Sequence, residues 1–201
     1  MTTGGGRRTW VGGLLAAAAT LGLAAGMCAA DPIAAGVRDV GLGGAVSISH
    51  GTEDGFDTVT GLQLLPHFGL VVSDTLGPGW LRGNLEALLE PTLMHLDSGV
   101  GTSTVVGLSA LARWIFAGRG RFRPYVEAGA GMLVGETALQ QTDCNLNFVL
   151  HAGPGILVFL SDRTALTAGY RFQHISNGSQ CSFNPGINSS ALYVGVNYFF
   201  R

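Results

Sequence analysis

Charge is scarce in this sequence. Asp, Glu, Lys and Arg make up 12% of its 201 residues, against about a quarter in ordinary soluble domains, too few for a conventional water-facing surface. The net charge is −2. That leaves no surplus of cations to neutralise a phosphate backbone, and it excludes nucleic acid as an expected partner. Cysteine is rare, at three residues, and none has the Cys-x-x-Cys or Cys/His spacing of a metal site. No metal and no cofactor is expected. Long apolar runs are missing too: beyond residue 31 no stretch approaches the roughly twenty residues a membrane helix needs. What is abundant is glycine, 32 residues, in a chain whose mean hydropathy is +0.35. The length fits one domain of ordinary size.

The first thirty residues read as an export signal. Arg7 and Arg8 form a positive start, Val11 to Ala25 a small-residue apolar stretch, and Cys28-Ala29-Ala30 a cleavage site, so the mature chain is expected to begin at Asp31. A permanent membrane anchor is opposed by the shortness of the Gly/Ala-rich run. Met27 fits poorly before a lipidated Cys28, and the residues around Arg7-Arg8 fit twin-arginine export poorly. With the signal removed, Cys144 and Cys181 remain, an even number in an exported chain, which suggests a disulfide between them.

Residues 31–201 are then a single domain. Eight segments alternate apolar and polar side chains between clusters of Gly, Asp, Asn and Ser, at 38–50, 56–72, 80–96, 103–117, 121–135, 146–160, 164–176 and 188–200. Their lengths suit tilted membrane strands. In the third, Leu81, Leu85, Ala87, Leu89 and Leu93 share one face and Arg82, Asn84, Glu86 and Glu90 the other. The fourth and fifth segments repeat this, with Ser109 and Arg113, then Arg123, Tyr125 and Glu127, opposite apolar faces. A soluble lipocalin-like barrel would put those aliphatic faces in water and the charges in an apolar cavity. In a membrane the apolar faces meet lipid, and Arg82, Glu86, Glu90, Arg113, Arg123, Glu127 and Arg171 pair inside. The expectation is an all-β, eight-stranded antiparallel transmembrane barrel of the outer membrane of a Gram-negative bacterium, surrounded by lipid. His67 and His151 fall on inward faces, as satisfied interior residues.

An even number of strands with both ends in the periplasm makes odd strands run outward. The connectors at 136–145 and 177–187 are then both external, and they carry Cys144 and Cys181. Topology and cysteine pairing rest on independent features of the sequence, and they agree.

Chemistry concentrates in the last hairpin. Leu166, Ala168, Tyr170, Phe172, His174 and Ser176 share one face of the seventh segment, and Asn188, Ser190, Leu192, Val194, Val196 and Tyr198 the matching face of the eighth. His174, Ser176 and Asn188 can therefore converge at the external membrane boundary, facing lipid. An imidazole beside a serine hydroxyl can take its proton, and a third group can orient the ring. His-x-Ser alone is a weak signal, by spacing more readily read as two interfacial polar residues where strand meets loop.

The run Tyr170 to Asn177 and the run Asn184 to Ser189 (YRFQHISN…NPGINS) resemble the PagL family of lipid A 3-O-deacylases, also described as acyloxyacyl hydrolase-like proteins. Leu85-Glu86 to Pro91-Thr92, Arg123 to Gly131 and Phe148 to Gly155 resemble the same family. The resemblance implies a barrel that hydrolyses the ester-linked 3-hydroxyacyl chain at position 3 of lipid A, remodelling lipopolysaccharide in the outer leaflet. It implies Ser176 as nucleophile, His174 as its base, and Asn177 with the following loop amides as the oxyanion site. The family's orienting residue is a Glu, and the matching position here is Asn188. An Asn carbonyl can hold an imidazole tautomer but supplies no charge to stabilise an imidazolium, so a slower site, or one borrowing Asp143, is expected. The competing reading is a non-catalytic barrel, either an OmpA-like structural protein or a PagL-like pseudoenzyme. Either a monomer or a homodimer is compatible with the sequence. The chain also ends on Arg201 after Phe200, where outer-membrane barrels often end on an aromatic residue.

Overall fold

The structure is a computed structural model that describes residues 32–50, 56–99, 101–118, 120–136, 142 and 144–201. The expected export signal over 1–30 lies outside them. Eight strands follow one another: β1 (Arg38–Ser49), β2 (Thr60–Val71), β3 (Gly83–Asp97), β4 (Thr102–Phe116), β5 (Phe122–Val134), β6 (Leu146–Phe159), β7 (Thr164–Ser176) and β8 (Ile187–Phe200). Each pairs antiparallel with the next, and β8 returns to pair with β1 from Arg38↔Phe200 to Ser49↔Ser189, closing the barrel. Closure leaves no strand edge unpaired, which a hydrocarbon surrounding requires.

Two boundaries differ by more than one residue from those read in the sequence. β2 begins at Thr60 rather than 56, and β3 at Gly83 rather than 80. Gly77 and Gly79 adopt φ of 84° and 54° around Pro78, and the chain makes a short 3-10 turn at Gly79–Leu81 before the strand can start. Leu81 is therefore an exposed turn residue rather than part of the β3 face.

Along the strands the alternation is as expected. Leu62, Leu192 and Val194 are more than 60% exposed on the outer face, while the neighbouring Gln63, Ala191 and Tyr193 are buried. The interior is layered. Val59, Met94, Leu133, Val149, Ile175 and Ile187 form an apolar cluster beneath the outer end of β7. Ile33, Val37, Leu65, Ile115, Leu157 and Phe199 belong to a second cluster toward the opposite end. Between them runs a buried charge layer. Arg113 bonds Glu86 at 3.0 Å and Glu127 at 3.0 Å, and Arg171 bonds Glu127 at 2.7 Å and grips Glu90 through two nitrogens at 2.7 and 3.0 Å. The guanidinium groups also lie over the rings of Tyr125 and Tyr193, at 4.5 and 4.8 Å.

Arg82 and Arg123 are not in this layer. Arg82 precedes β3 and is exposed, and Arg123, second in β5, donates to the carbonyl of Gly120 in the adjacent turn. Both lie at the rim, where a long side chain reaches water at less cost than it can be desolvated. His67 and His151 are interior and satisfied, by Asp39 at 2.9 Å and by Ser109 at 3.1 Å.

Candidate active site

The β7–β8 pairing sets the site. His174 lies opposite Asn188, Phe172 opposite Ser190, and Ile175 opposite Ile187. Because side chains alternate, Ile175 and Ile187 point inward, buried in the apolar cluster, and anchor the hairpin. His174, Ser176, Asn188 and Ser190 point outward and are half-buried. Opposite Ser176 and His174 on the other side, β6 supplies Phe148 and Leu150, so the polar group has apolar neighbours on its lipid side. Deeper on the same face, Tyr170 and Ser190 bond each other through their hydroxyls at 3.0 Å.

The decisive contact is between the imidazole and the amide: His174 Nδ1 lies 2.7 Å from Asn188 Oδ1. A carbonyl oxygen can only accept, so Nδ1 carries the hydrogen and Nε2 is left with a lone pair. That is the tautomer a general base requires. Ser176 follows on the same face of β7, about 6–7 Å further along by strand geometry. Gly186, at φ 77°, borders the ring on the loop side. A Cβ there would stand 3.1 Å from His174 Cε1 and 3.6 Å from Nε2, so glycine leaves the reactive edge of the ring uncovered.

Asn177 is fully buried, and its side chain works inside the loop. Its amide nitrogen donates to the carbonyl of Phe183 at 2.8 Å, and its carbonyl accepts from the Ser179 N–H at 2.9 Å. Its own N–H donates to Asn184 Oδ1 at 2.8 Å. Gly178 and Ser179 both take left-handed φ, 61° and 62°, so the chain turns sharply away directly after Ser176 and Asn177. A disulfide joins Cys144 to Cys181, with Cα atoms 5.9 Å apart, tying this loop to the β5–β6 connector. Asp143, the other acid considered for the triad, lies outside the described residues.

Two neighbours had no individual signal in the sequence. The His50 N–H donates to the carbonyl of Asn188 at 2.8 Å, and its ring lies 5.8 Å from that of Phe172. His50 ends up beside a residue 138 positions later because β1 closes on β8, which no linear pattern announces. Asn184 stands in the quoted motif, but its role as acceptor for the Asn177 N–H emerges from the loop's fold.

A family model described as lipid A 3-O-deacylase (PagL) matches residues 67–197, a span that holds every site residue described except His50. The chain belongs to the PagL family. The crystal structure of the outer membrane enzyme PagL matches with a TM-score of 0.58 at 19% identity, covering 78% of this chain and 97% of that one. The crystal structure of Neisserial surface protein A (NspA) matches with a TM-score of 0.53 at 16% identity, covering 82% and 99%. At these identities the structural likeness shows the fold, an outer-membrane type of barrel that PagL shares with a surface protein. Fold alone therefore does not assign chemistry, and the hairpin residues must. No curated protein sequence matches the chain.

Proposed function

We propose that this PagL-family barrel is a lipid A 3-O-deacylase working as a serine esterase, with its site open to the outer leaflet. The observation that carries the reading is the His174–Asn188 couple at 2.7 Å on an otherwise apolar, lipid-facing surface. A structural barrel gains nothing by holding an imidazole in one tautomer there. In the proposed reaction Ser176 Oγ attacks the ester carbonyl carbon as His174 Nε2 takes its proton. The resulting oxyanion is met by backbone amides of the loop that Asn177 fastens. The carbonyl–sugar oxygen bond then breaks, His174 returns the proton to the departing sugar hydroxyl, and an acyl-Ser176 ester remains. Water, deprotonated by His174, hydrolyses it and releases a 3-hydroxy fatty acid.

Mass spectrometry of lipid A from cells expressing the natural protein should show the loss of one 3-hydroxyacyl chain, absent with Ser176→Ala at equal barrel expression. Unchanged lipid A in both would make the protein a non-catalytic barrel. Asn188 favours one second reading, a disabled relative, because it brings no negative charge to the imidazolium. Asn188→Glu separates the two. A working site should gain rate, since a carboxylate both holds the tautomer and stabilises the charged ring. Activity appearing only in Asn188→Glu would identify the natural protein as a pseudoenzyme.

A further inference from the structure

The two ends of the barrel differ sharply in charge. The chain contains no lysine. Among the described residues its arginines are either the buried pair Arg113 and Arg171 or lie at the end away from His174 and Ser176. There Arg38, Arg82, Arg121, Arg123, Arg163 and Arg201 border the strand termini. The four connectors at the site end, residues 50–59, 98–101, 135–145 and 177–186, contain by sequence no Lys or Arg, and their described residues include the acids Asp57 and Glu136. Asp97 closes β3 at the same end. The basic side chains there are imidazoles: His50 beside Asn188, His174 itself, and His95, bonded to Thr104 at 2.9 Å.

We propose that the lipid taken by this site has a head group with little or no negative charge: an acylated glucosamine disaccharide without its phosphates rather than bisphosphorylated lipid A. The inference rests on the esterase reading above and narrows its substrate. Phosphate recognition calls for Arg forks or Lys point charges, and the site end has neither. The arginines at the opposite end cannot substitute. Strands of 12–15 residues separate the two ends by roughly 30 Å or more, several times the Debye length of about 8 Å at physiological salt. A phosphorylated head group approaching His174 finds no guanidinium or ammonium to pair with, and the described ionised groups at this end, Asp57, Asp97 and Glu136, are acids. A neutral sugar meets hydrogen-bonding groups it can use, the exposed His50 imidazole among them.

The test uses the full barrel refolded in zwitterionic detergent micelles. Bisphosphorylated lipid A and its fully dephosphorylated form are supplied separately, at low salt, with EDTA and again with Mg2+. The dephosphorylated lipid should be cleaved with kcat/KM about tenfold higher or more, the scale of electrostatic selection at a charged surface. The gap should narrow in about 0.5 M NaCl as the rim is screened. Glu136→Arg with Ser182→Arg, two exposed loop positions outside the catalytic group, should raise the rate on the bisphosphorylated lipid and leave the other unchanged. Equal or faster cleavage of the bisphosphorylated lipid, in EDTA or in Mg2+, overturns the proposal. Equilibrium binding of the Ser176→Ala protein to the same two lipids reads charge selection without any bond being cut. If neither lipid is hydrolysed the esterase reading falls, while the binding ratio still decides the preference, and a ratio of one sinks it.

Discussion

Inside the barrel Arg113 and Arg171 each hold two carboxylates, and both guanidinium groups are fully enclosed and stacked on tyrosine rings. On the lipid face His174 has a single amide partner, sits half-buried, and leaves its second nitrogen facing an edge that Gly186 keeps clear. The interior spends most of its polar atoms on one another, and the three described oxygens left without a partner, on Asp39, Glu86 and Asn197, are sealed inside the barrel away from a lipid substrate. The outer patch holds one nitrogen in place and leaves the other unspent. Counting charges would point to the lumen as the active site. Asking which polar atom has spare capacity where a lipid can reach it points to the hairpin.

Substitutions should separate the two regions by which quantity they move. The largest effect expected is on rate: His174→Ala should lower deacylation by about 10³-fold or more, with the barrel's melting temperature unchanged. Adding Ser176→Ala should lower it little further, because the two act as one unit. A large loss of stability in His174→Ala would erase the distinction between the regions. Next, Arg171→Ala should act on stability. Leaving Glu90 buried without its cation, and Glu127 with Arg113 alone, should cost about 3–5 kcal/mol, read as loss of folded barrel in thermal or denaturant melts. A stable Arg171→Ala barrel would mean that the interior layer is dispensable.

Ala168→Arg, mid-strand on the lipid side of β7, should cost about 2–4 kcal/mol on insertion. Free tolerance of that charge would mean the outer face is not in lipid, and the site with it. Asn188→Ala should cut the rate about tenfold, the worth of one hydrogen bond of roughly 1–1.5 kcal/mol, with no change in folding. An unchanged rate would show that another group orients the imidazole. The smallest effect belongs to Cys144→Ser with Cys181→Ser. The disulfide ties two connectors together and the barrel closes without it, so melting should shift by only about 2–4 °C. Limited proteolysis of the loops should increase.

Most of the barrel was legible because period-two alternation is a local property. Once Glu86, Arg113 and Glu127 fall opposite aliphatic faces, only lipid outside and charge inside is physically tolerable. The same rule misplaced Arg82 and Arg123: alternation gives the direction of a side chain but not its depth, and at the rim a long arginine returns to water. The His174 and Ser176 face followed from alternation as well. The role of Asn177 did not, because a polar side chain next to a proposed oxyanion site looks the same in sequence whether it faces substrate or fastens the loop.

By itself, then, the sequence determined the strand number, the two faces and the pairing of Cys144 with Cys181, and it nominated three residues for the proposed chemistry. Each depends on spacing along one strand or on the count of reversals between strands. Only the tertiary structure decided which polar groups meet. Register brought His174 Nδ1 to Asn188 Oδ1, closure of β1 onto β8 brought His50 beside Asn188, and packing across the lumen matched Arg171 to Glu90, 81 residues away. Those contacts join atoms far apart in the chain, and a period of two residues carries no information about which distant strand will stand opposite.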